Sequence, residues 1–400
     1  MKILLLFPIL LLSHTYGASI NFAEAQKRVL EHELVKSSKF QVKSQEEAAE
    51  IAGAWGDPMI SVGAMNLPLD HGLKRDVTPM SGLTIGLAQK VPLGARASKK
   101  EDAAMAKAKQ LSYQTEFTSQ KLLANFWGQL IATRRQTRDL AFLKENESWL
   151  KSMVQVSKKL YSNGKISQQA LLDIQIRTQQ VQSAISEKEA FIEQISSNIA
   201  YMLGSSERVS VIGTPWEKIK STVVQDDLQQ QAFKSAVMAA ELEQSAARWA
   251  RLPDATIGLN YVKRSNIDGR GDFVGINISM PLPFGATRSS SETMAANQWL
   301  SAKSNLRNYE QNKTSTLYTL AQEAKALEEQ ISLTQKSLSF ARTAKEVSSK
   351  SYRLGGISYF DLLQSELRLQ EMEFKANELT AKLSDNFVQQ KLWNSDMVIK

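Results

Sequence analysis

At 400 residues, 42% hydrophobic and 22% charged, the chain is long enough for two or three ordinary domains and too apolar to be disordered. It has no cysteine, which excludes a disulfide-held fold and a lipid attached through cysteine. The formal charge of +8 does not argue for nucleic acid, because Lys and Arg are interspersed with Glu and Asp along helical stretches and read as solvated faces.

Residues 1–18 have the layout of a secretory signal peptide: Met1, Lys2, an apolar run from Ile3 to Leu12, and a polar stretch ending at Gly17 and Ala18. That run is too short to span a bilayer, and no later window approaches about 20 apolar residues, so membrane residence would require strands. A helix is expected over about Phe22 to Ala52. Around the prolines that follow, the hydrophobic period drops to two. Ile60, Val62 and Ala64 mark a strand at about 58–66, and Leu83, Ile85 and Leu87 mark one at about 81–91. Residues 93–214 contain no proline, and from Ala95 to Leu160 the only glycine is Gly128. The spacing predicts a helix there of about 60 residues, roughly 90 Å long.

A turn is expected at 161–167 and a second helix over Gln168 to Tyr201. Residues 204–228, with Gly213, Pro215 and Trp216, read as a linker with some strand character. Strands recur at about 255–263 and 272–281, the second carrying Val274, Ile276 and Ile278 on one face. From Arg288 to Tyr352 apolar residues recur at three and four, a coiled-coil seam. A turn at 352–358, a further helix and a tail at 395–400 close the chain.

The chain matches itself. Pro92-Leu93-Gly94-Ala95 aligns with Pro283-Phe284-Gly285-Ala286, an offset of 283 minus 92, or 191. At that offset Leu83, Ile85 and Leu87 fall on Val274, Ile276 and Ile278. Tyr161, Gly164, Ile166, Ser167, Leu171 and Leu172 fall on Tyr352, Gly355, Ile357, Ser358, Leu362 and Leu363. Upstream the offset is 197, with Asp57 on Asp254 and Ile60 on Ile257; the difference lies in the hairpin loops, where insertions cost least. Two repeats are therefore expected, at 19–203 and 229–394.

These residues resemble the TolC-type outer-membrane efflux family across essentially the whole mature chain. The resemblance is carried by the duplicated Tyr-x-x-Gly-x-Ile-Ser turn, by Asp361-Leu362-Leu363 and by the Pro-(Leu/Phe)-Gly ends of the second strands. It implies a mainly α fold with a membrane β-barrel portion: a homotrimer in which four strands per subunit form a twelve-stranded outer-membrane barrel, continued by a periplasmic α-barrel. The implied partners are outer-membrane lipid, a periplasmic adaptor protein and an inner-membrane pump of the resistance-nodulation-division type. The chain would be a passive duct for metal cations or drugs; the segment Gln89 to Gly94 and the short hairpin loops look most like the heavy-metal or cation branch.

Each singled-out residue has a functional and a structural reading. Tyr161, Gly164, Ile166, Ser167, Leu171, Leu172, Tyr352, Gly355, Ile357, Ser358, Leu362 and Leu363 would form the adaptor-contacting tip; alternatively the glycines only end helices and the leucines only pack. Asp361 matches a position where the family places a carboxylate ring inside the lumen, or is a helix-start acid favoured by the macrodipole. The family's best-known gating pair falls here on Ile357 and Ala170, so a closing tip would use other groups: Tyr161, Tyr352 and Arg353. Leu83, Ile85, Leu87, Val274, Ile276 and Ile278 would face lipid. Trp55, Tyr261, Phe273 and Phe284 would lie in interfacial belts or in a core.

Beyond the leading segment the only histidines are His32 and His71, which predicts no metal site. No nucleophile–base motif or phosphate loop is present, so neither catalysis nor a cofactor is expected. Two other readings remain open: a periplasmic coiled-coil scaffold or adaptor, and the duct of a type I protein secretion system.

Overall fold

The computed structural model describes residues 18–220, 226–282 and 286–398. Most of the segment read as a signal peptide, part of the segment read as a linker, and Pro283, Phe284 and Gly285 of the second repeat motif lie outside the described residues.

The first predicted helix is in fact two, α1 (Phe22–Leu30) and α2 (Glu33–Gly53), preceded by β1 (Ala18–Asn21). Asn21 caps α1 by accepting the N–H of Ala23, and the helix stops at Glu31, where φ −97° and ψ 9° leave helical space. The His32 ring then accepts the N–H of Leu34 at 3.2 Å and starts α2. A histidine acting as an acceptor cap inside an otherwise helical pattern leaves no mark on hydrophobic periodicity.

The chain continues through β2 (Met59–Met65), β3 (Gly82–Val91), α3 (Arg96–Ser162), α4 (Gln168–Met202), β4 (Val209–Ile212), a 3-10 turn (Trp216–Lys220) and α5 (Leu228–Trp249). It ends with β5 (Ala255–Arg264), β6 (Phe273–Ser279), α6 (Thr287–Arg353) and α7 (Tyr359–Trp393). Helices α3 and α6 have 67 residues each, and α4 and α7 have 35 each. Their starts differ by 287 minus 96 and by 359 minus 168, both 191. The offset seen between side chains is thus also the offset between helix ends.

Two segments read as connections belong to the packed structure. In the stretch taken as a linker, β4 pairs in parallel with β1, Ala18 opposite Val209 through Asn21 opposite Ile212, so the paired residues themselves stand 191 apart. Val209 and Ile219 are buried in the same core as Phe22, Phe126 and Trp127, and the Trp216 ring meets Trp127 edge-on at 5.8 Å. The expected tail is anchored as well: Met397 is fully buried in that core, Lys391 and Asp396 form a buried ion pair at 2.8 Å, and Gln120 donates to the Ser395 carbonyl. Both segments are short and mixed in polarity, so neither carries a periodic signal.

The chain divides into two compact units. One comprises Met1–Lys36, Phe117–Asp227 and Lys313–Lys400, and the other Ser37–Glu116 and Leu228–Asn312. The first holds the core just described and a second core around Leu143, Leu150, Met153, Ile174, Tyr352 and Leu362. The second unit holds the sheet β2-β3-β5-β6, in which every neighbouring pair is antiparallel. Its helical segments bury mainly small side chains, Ala103, Ala106, Ala232, Ala239 and Ala246, which lets backbones approach closely.

Candidate functional site

The four-stranded sheet has two chemically distinct faces, because successive side chains of a strand alternate. The cross-strand register places Ile60 with Leu87, Leu87 with Leu259 and Leu259 with Ile276. The next row joins Val62, Ile85, Tyr261 and Val274. With Leu83, Ile257 and Ile278, all of these side chains are exposed. Full burial of one such side chain is worth about 1.5–3 kcal/mol. A four-strand face with these members uncovered therefore calls for an apolar surround that the described residues do not supply.

The opposite face is small and polar at its centre, with Met59, Met65, Val262 and Phe273 toward its ends. Ser61, Gly86, Asn260 and Gly275 form one row, and Met59, Ala88, Gly258 and Asn277 the next. A Cβ built on Gly258 would lie 2.3 Å from Asn277 Oδ1, and one on Gly275 would lie 2.8 Å from Asn260 Oδ1. Each glycine thus makes room for an asparagine of the next strand to lie along the sheet. Charges stand only at the ends of this face, and both are paired: Lys90 with Asp254 at 3.0 Å, and Arg264 with Asp268 at 2.8 Å. Arg264 also donates to the Pro79 carbonyl at 2.8 Å and Ser265 to the Thr78 carbonyl, which ties the two hairpin loops together. The outer edges of β2 and β6 have no strand partner among the described residues.

The helical turns repeat to the atom. Gly164 N–H donates to Tyr161 and Lys165 N–H to Leu160; Gly355 N–H donates to Tyr352 and Gly356 N–H to Ser351. Both glycines are left-handed, φ 70° and 75°, the Schellman ending in which glycine carries no Cβ penalty. Ser167 and Ser358 cap the next helices through the N–H of Ala170 and Asp361. In the second turn Asp361 also accepts from the Ser358 N–H at 3.2 Å, completing a capping box. Its side chain therefore has a structural task that alone accounts for an acid there.

The predicted tip residues separate into two groups. Ile166, Leu171, Ile357 and Leu363 are half-buried against the second core, and Leu362 is inside it. Tyr161 and Leu172 are exposed, as is Arg353. Tyr352 does not fit the gate role suggested for it. Its ring is fully buried and its hydroxyl lies 2.8 Å from Ser157 Oγ, so the side chain faces the core rather than a lumen. Sequence reasoning overlooked Leu354 and Phe360, both strongly exposed at the second turn. The signal was present: at the 191 offset they replace the polar Asn163 and Gln169.

Beside this turn lies a buried polar network. Arg177 holds Glu366 bidentately at 2.9 and 3.0 Å and donates to Gln370; Asn146 donates to Glu366 at 2.6 Å, and Lys345 donates to Asn146. Burial pushes the Lys345 ammonium below its usual range, opposed by Glu366, Glu145 and Glu373. Burial, with lesser help from Asp173 and Glu366, raises the Tyr359 phenol to about 12. Among the described residues the Tyr359 hydroxyl has no hydrogen-bond partner. No group of three or more metal-ligating side chains comes together among the described residues, and no described helix is long and apolar enough to cross a membrane.

No protein-family model and no curated protein sequence matches the chain. Solved structures do. The chain is similar to CusC, a protein described as forming a transmembrane channel (TM-score 0.79, 13% identity, 93% of this chain and 92% of that one). It is similar to the outer-membrane channel CmeC of Campylobacter jejuni (0.75, 13%, 93% and 86%). It is likewise similar to the outer-membrane protein VceC of Vibrio cholerae (0.73, 14%, 92% and 95%). The fold is that of the TolC-type outer-membrane channels, over nearly the full length of both partners in each comparison.

Proposed function

We propose that the chain is a subunit of a passive outer-membrane duct in a tripartite efflux system, receiving cargo from an inner-membrane pump through a periplasmic adaptor. The observation that carries this reading is the sheet: one face apolar and exposed over its central rows, the other small and polar there, and both edges without a strand partner among the described residues. Open edges are not tolerated in lipid, and four strands are too few to close a barrel. A closed barrel therefore has to be shared between copies, and the homotrimer of twelve strands implied by the family resemblance meets that need. The apolar face then meets outer-membrane lipid and the Gly/Asn face lines the bore. A periplasmic coiled-coil scaffold would have no use for such a sheet.

The helical turns are the adaptor-facing end in this reading. Gly164 and Gly355 set the reversal, while Tyr161, Leu172, Leu354 and Phe360 offer apolar contact. Asp361 contributes one carboxylate per subunit to a ring at the second turn. The bore of the sheet carries no unpaired charge at its centre, so any preference among ions would arise at that ring. Cargo is chosen by the pump; metal cations and drugs both remain within the reading.

The test is reconstitution of detergent-purified protein into planar bilayers. Stepwise conductance with a cation preference is expected, and Asp361→Ala is expected to lose the preference while conducting. A detergent-free soluble monomer that never conducts would refute the duct; unchanged selectivity in Asp361→Ala would remove only the ring. Deleting the gene and challenging cells with metals, dyes and antibiotics then identifies the cargo.

A further inference from the structure

In the second unit two cavities share a wall. The first, of about 190 Å³, opens at the end of the sheet between Trp55, Lys90, Arg96, Lys100 and Asp254. The second, of about 440 Å³, is a slot between α2, α3, α5 and α6, and Ala52, Arg96 and Lys100 line both. The slot runs beside α3 from Arg96 to Lys107, about 16 Å at roughly 1.5 Å per residue. Its walls carry the methyl groups of Ala104, Ala246, Ala247, Ala250 and Ala295 and the Met294 thioether.

The charges around these cavities do not balance. Four cations, Lys90, Arg96, Lys100 and Lys107, stand against two carboxylates, Asp254 and Glu243. Lys90 and Arg96 share Asp254, at 3.0 and 3.5 Å, and Lys107 pairs with Glu243. Lys100 pairs with no acid among the described residues, and it stands where the mouth meets the slot. The Glu101 carboxylate, next to it in sequence, lies against Gly53 instead. A cleft with apolar walls and a surplus of cations at its mouth suits a ligand with an anionic head and an alkyl tail. Lys90 belongs to the polar face of the sheet, opposite Thr256. In the duct reading that face lines the bore, so the mouth is turned away from the side chains that meet lipid. A bilayer phospholipid has no access to it, whereas a solute moving along the bore has.

We propose that the joined cavities bind a single-chain anionic amphiphile from the bore, its head held by Lys100, Arg96 and Lys90 beside Trp55 and its chain laid along the alanine slot. The inference rests on the duct reading and adds a chemical class of solute that the wall of the duct retains.

Titration calorimetry of the full chain in nonionic detergent, with protein-free detergent as the blank, compares dodecanoate, dodecyltrimethylammonium and inorganic phosphate. Saturable binding of dodecanoate alone is expected, weakened about fivefold by Lys100→Gln. Ala247→Leu, which fills the slot and leaves the cations, is expected to abolish it. Lys100 is exposed, so its variant keeps the test open if the filled slot does not fold. Equal binding of the two amphiphiles would show a slot without head recognition, and phosphate binding as tightly as dodecanoate would show a cation cluster without a slot; either result overturns the proposal. So does the absence of saturable binding, which would assign the cations to the end of α2, whose last turn has no basic residue. Conductance of the same samples in planar bilayers separates the two claims. Conducting channels that bind no dodecanoate remove the site and keep the duct; binding by chains that never conduct keeps the site and removes the duct.

Discussion

The two helical hairpins, α3–α4 and α6–α7, share a backbone and differ in what surrounds it. Their helices have equal lengths, their turns end on left-handed glycines with the same hydrogen bonds, and their second helices begin on serine caps. Yet Tyr161 is exposed where Tyr352 is buried, Ala170 stands where Asp361 closes a capping box, and Gln175 stands where Glu366 sits in an ion pair. The residues that set chain geometry were kept in both copies, while those that set contact chemistry diverged. The second hairpin alone supplies the buried carboxylate, Glu366, which Arg177 and Asn146 of the first hairpin hold.

The largest expected effect follows from that carboxylate. Glu366→Ala leaves Arg177, whose side chain is 12% exposed, without its carboxylate, and loss of one partner of a buried pair costs about 3–5 kcal/mol. Gln175→Ala, at the equivalent half-buried position, leaves no charge without a partner and should cost about 1 kcal/mol or less. Denaturant unfolding of both variants in detergent checks this, and equal losses would break the asymmetry.

Next in size is an alkaline effect confined to the second hairpin, since Gln168 occupies the place of Tyr359 in the first. The Tyr359 phenol is raised from 10.0 to about 12, first by burial. Between those values the folded chain holds a proton that the unfolded chain has released, so stability is intact below about pH 10 and falls as pH rises toward 12, by about 3 kcal/mol in total. Tyr359→Phe should flatten that part of the melting-temperature profile; an unchanged alkaline slope would show that the loss arises elsewhere. At neutral pH the two tyrosines should also respond with opposite sign. Tyr352→Phe strands Ser157 and costs about 1 kcal/mol, whereas Tyr359→Phe removes a hydroxyl without a partner and is neutral or stabilising.

Much of this architecture was legible in the sequence for a physical reason: periodicity and turn chemistry are local. Alternation marked Leu83, Ile85 and Leu87, proline-free runs marked α3 and α6, and the Gly-x-Ile-Ser turns marked both reversals. What escaped depends on partners distant in the chain. β1 is four residues long and is recognisable only through its pairing with β4, while Met397 is buried only because α3 and α7 meet beside it. The site was legible in the same measure. The apolar face of the sheet could be read from β3 and β6 alone, but the burial of Tyr352 could not, because its duplicate Tyr161 shares the Tyr-x-x-Gly-x-Ile-Ser pattern and has a different neighbour.

The smallest expected effects concern what the hairpins share, and here the comparison predicts equality. Gly164→Ala and Gly355→Ala each force a Cβ into φ near 70°, at about 1–2 kcal/mol, and no atom beyond the chain neighbours lies closer than 3.7 Å to the new methyl at either site. The cost is therefore backbone strain alone and should agree between the two within about 0.5 kcal/mol. Ser167→Ala and Ser358→Ala each remove one cap worth about 1 kcal/mol. The second should cost slightly more, because it also removes the hydrogen bond that the Ser358 hydroxyl donates to the Asp361 carboxylate. Thermal unfolding of the four variants checks both statements. If the glycine variants differed by as much as the Glu366 and Gln175 pair, the turns would be responding to their surroundings, and the division between conserved geometry and divergent contact would fail.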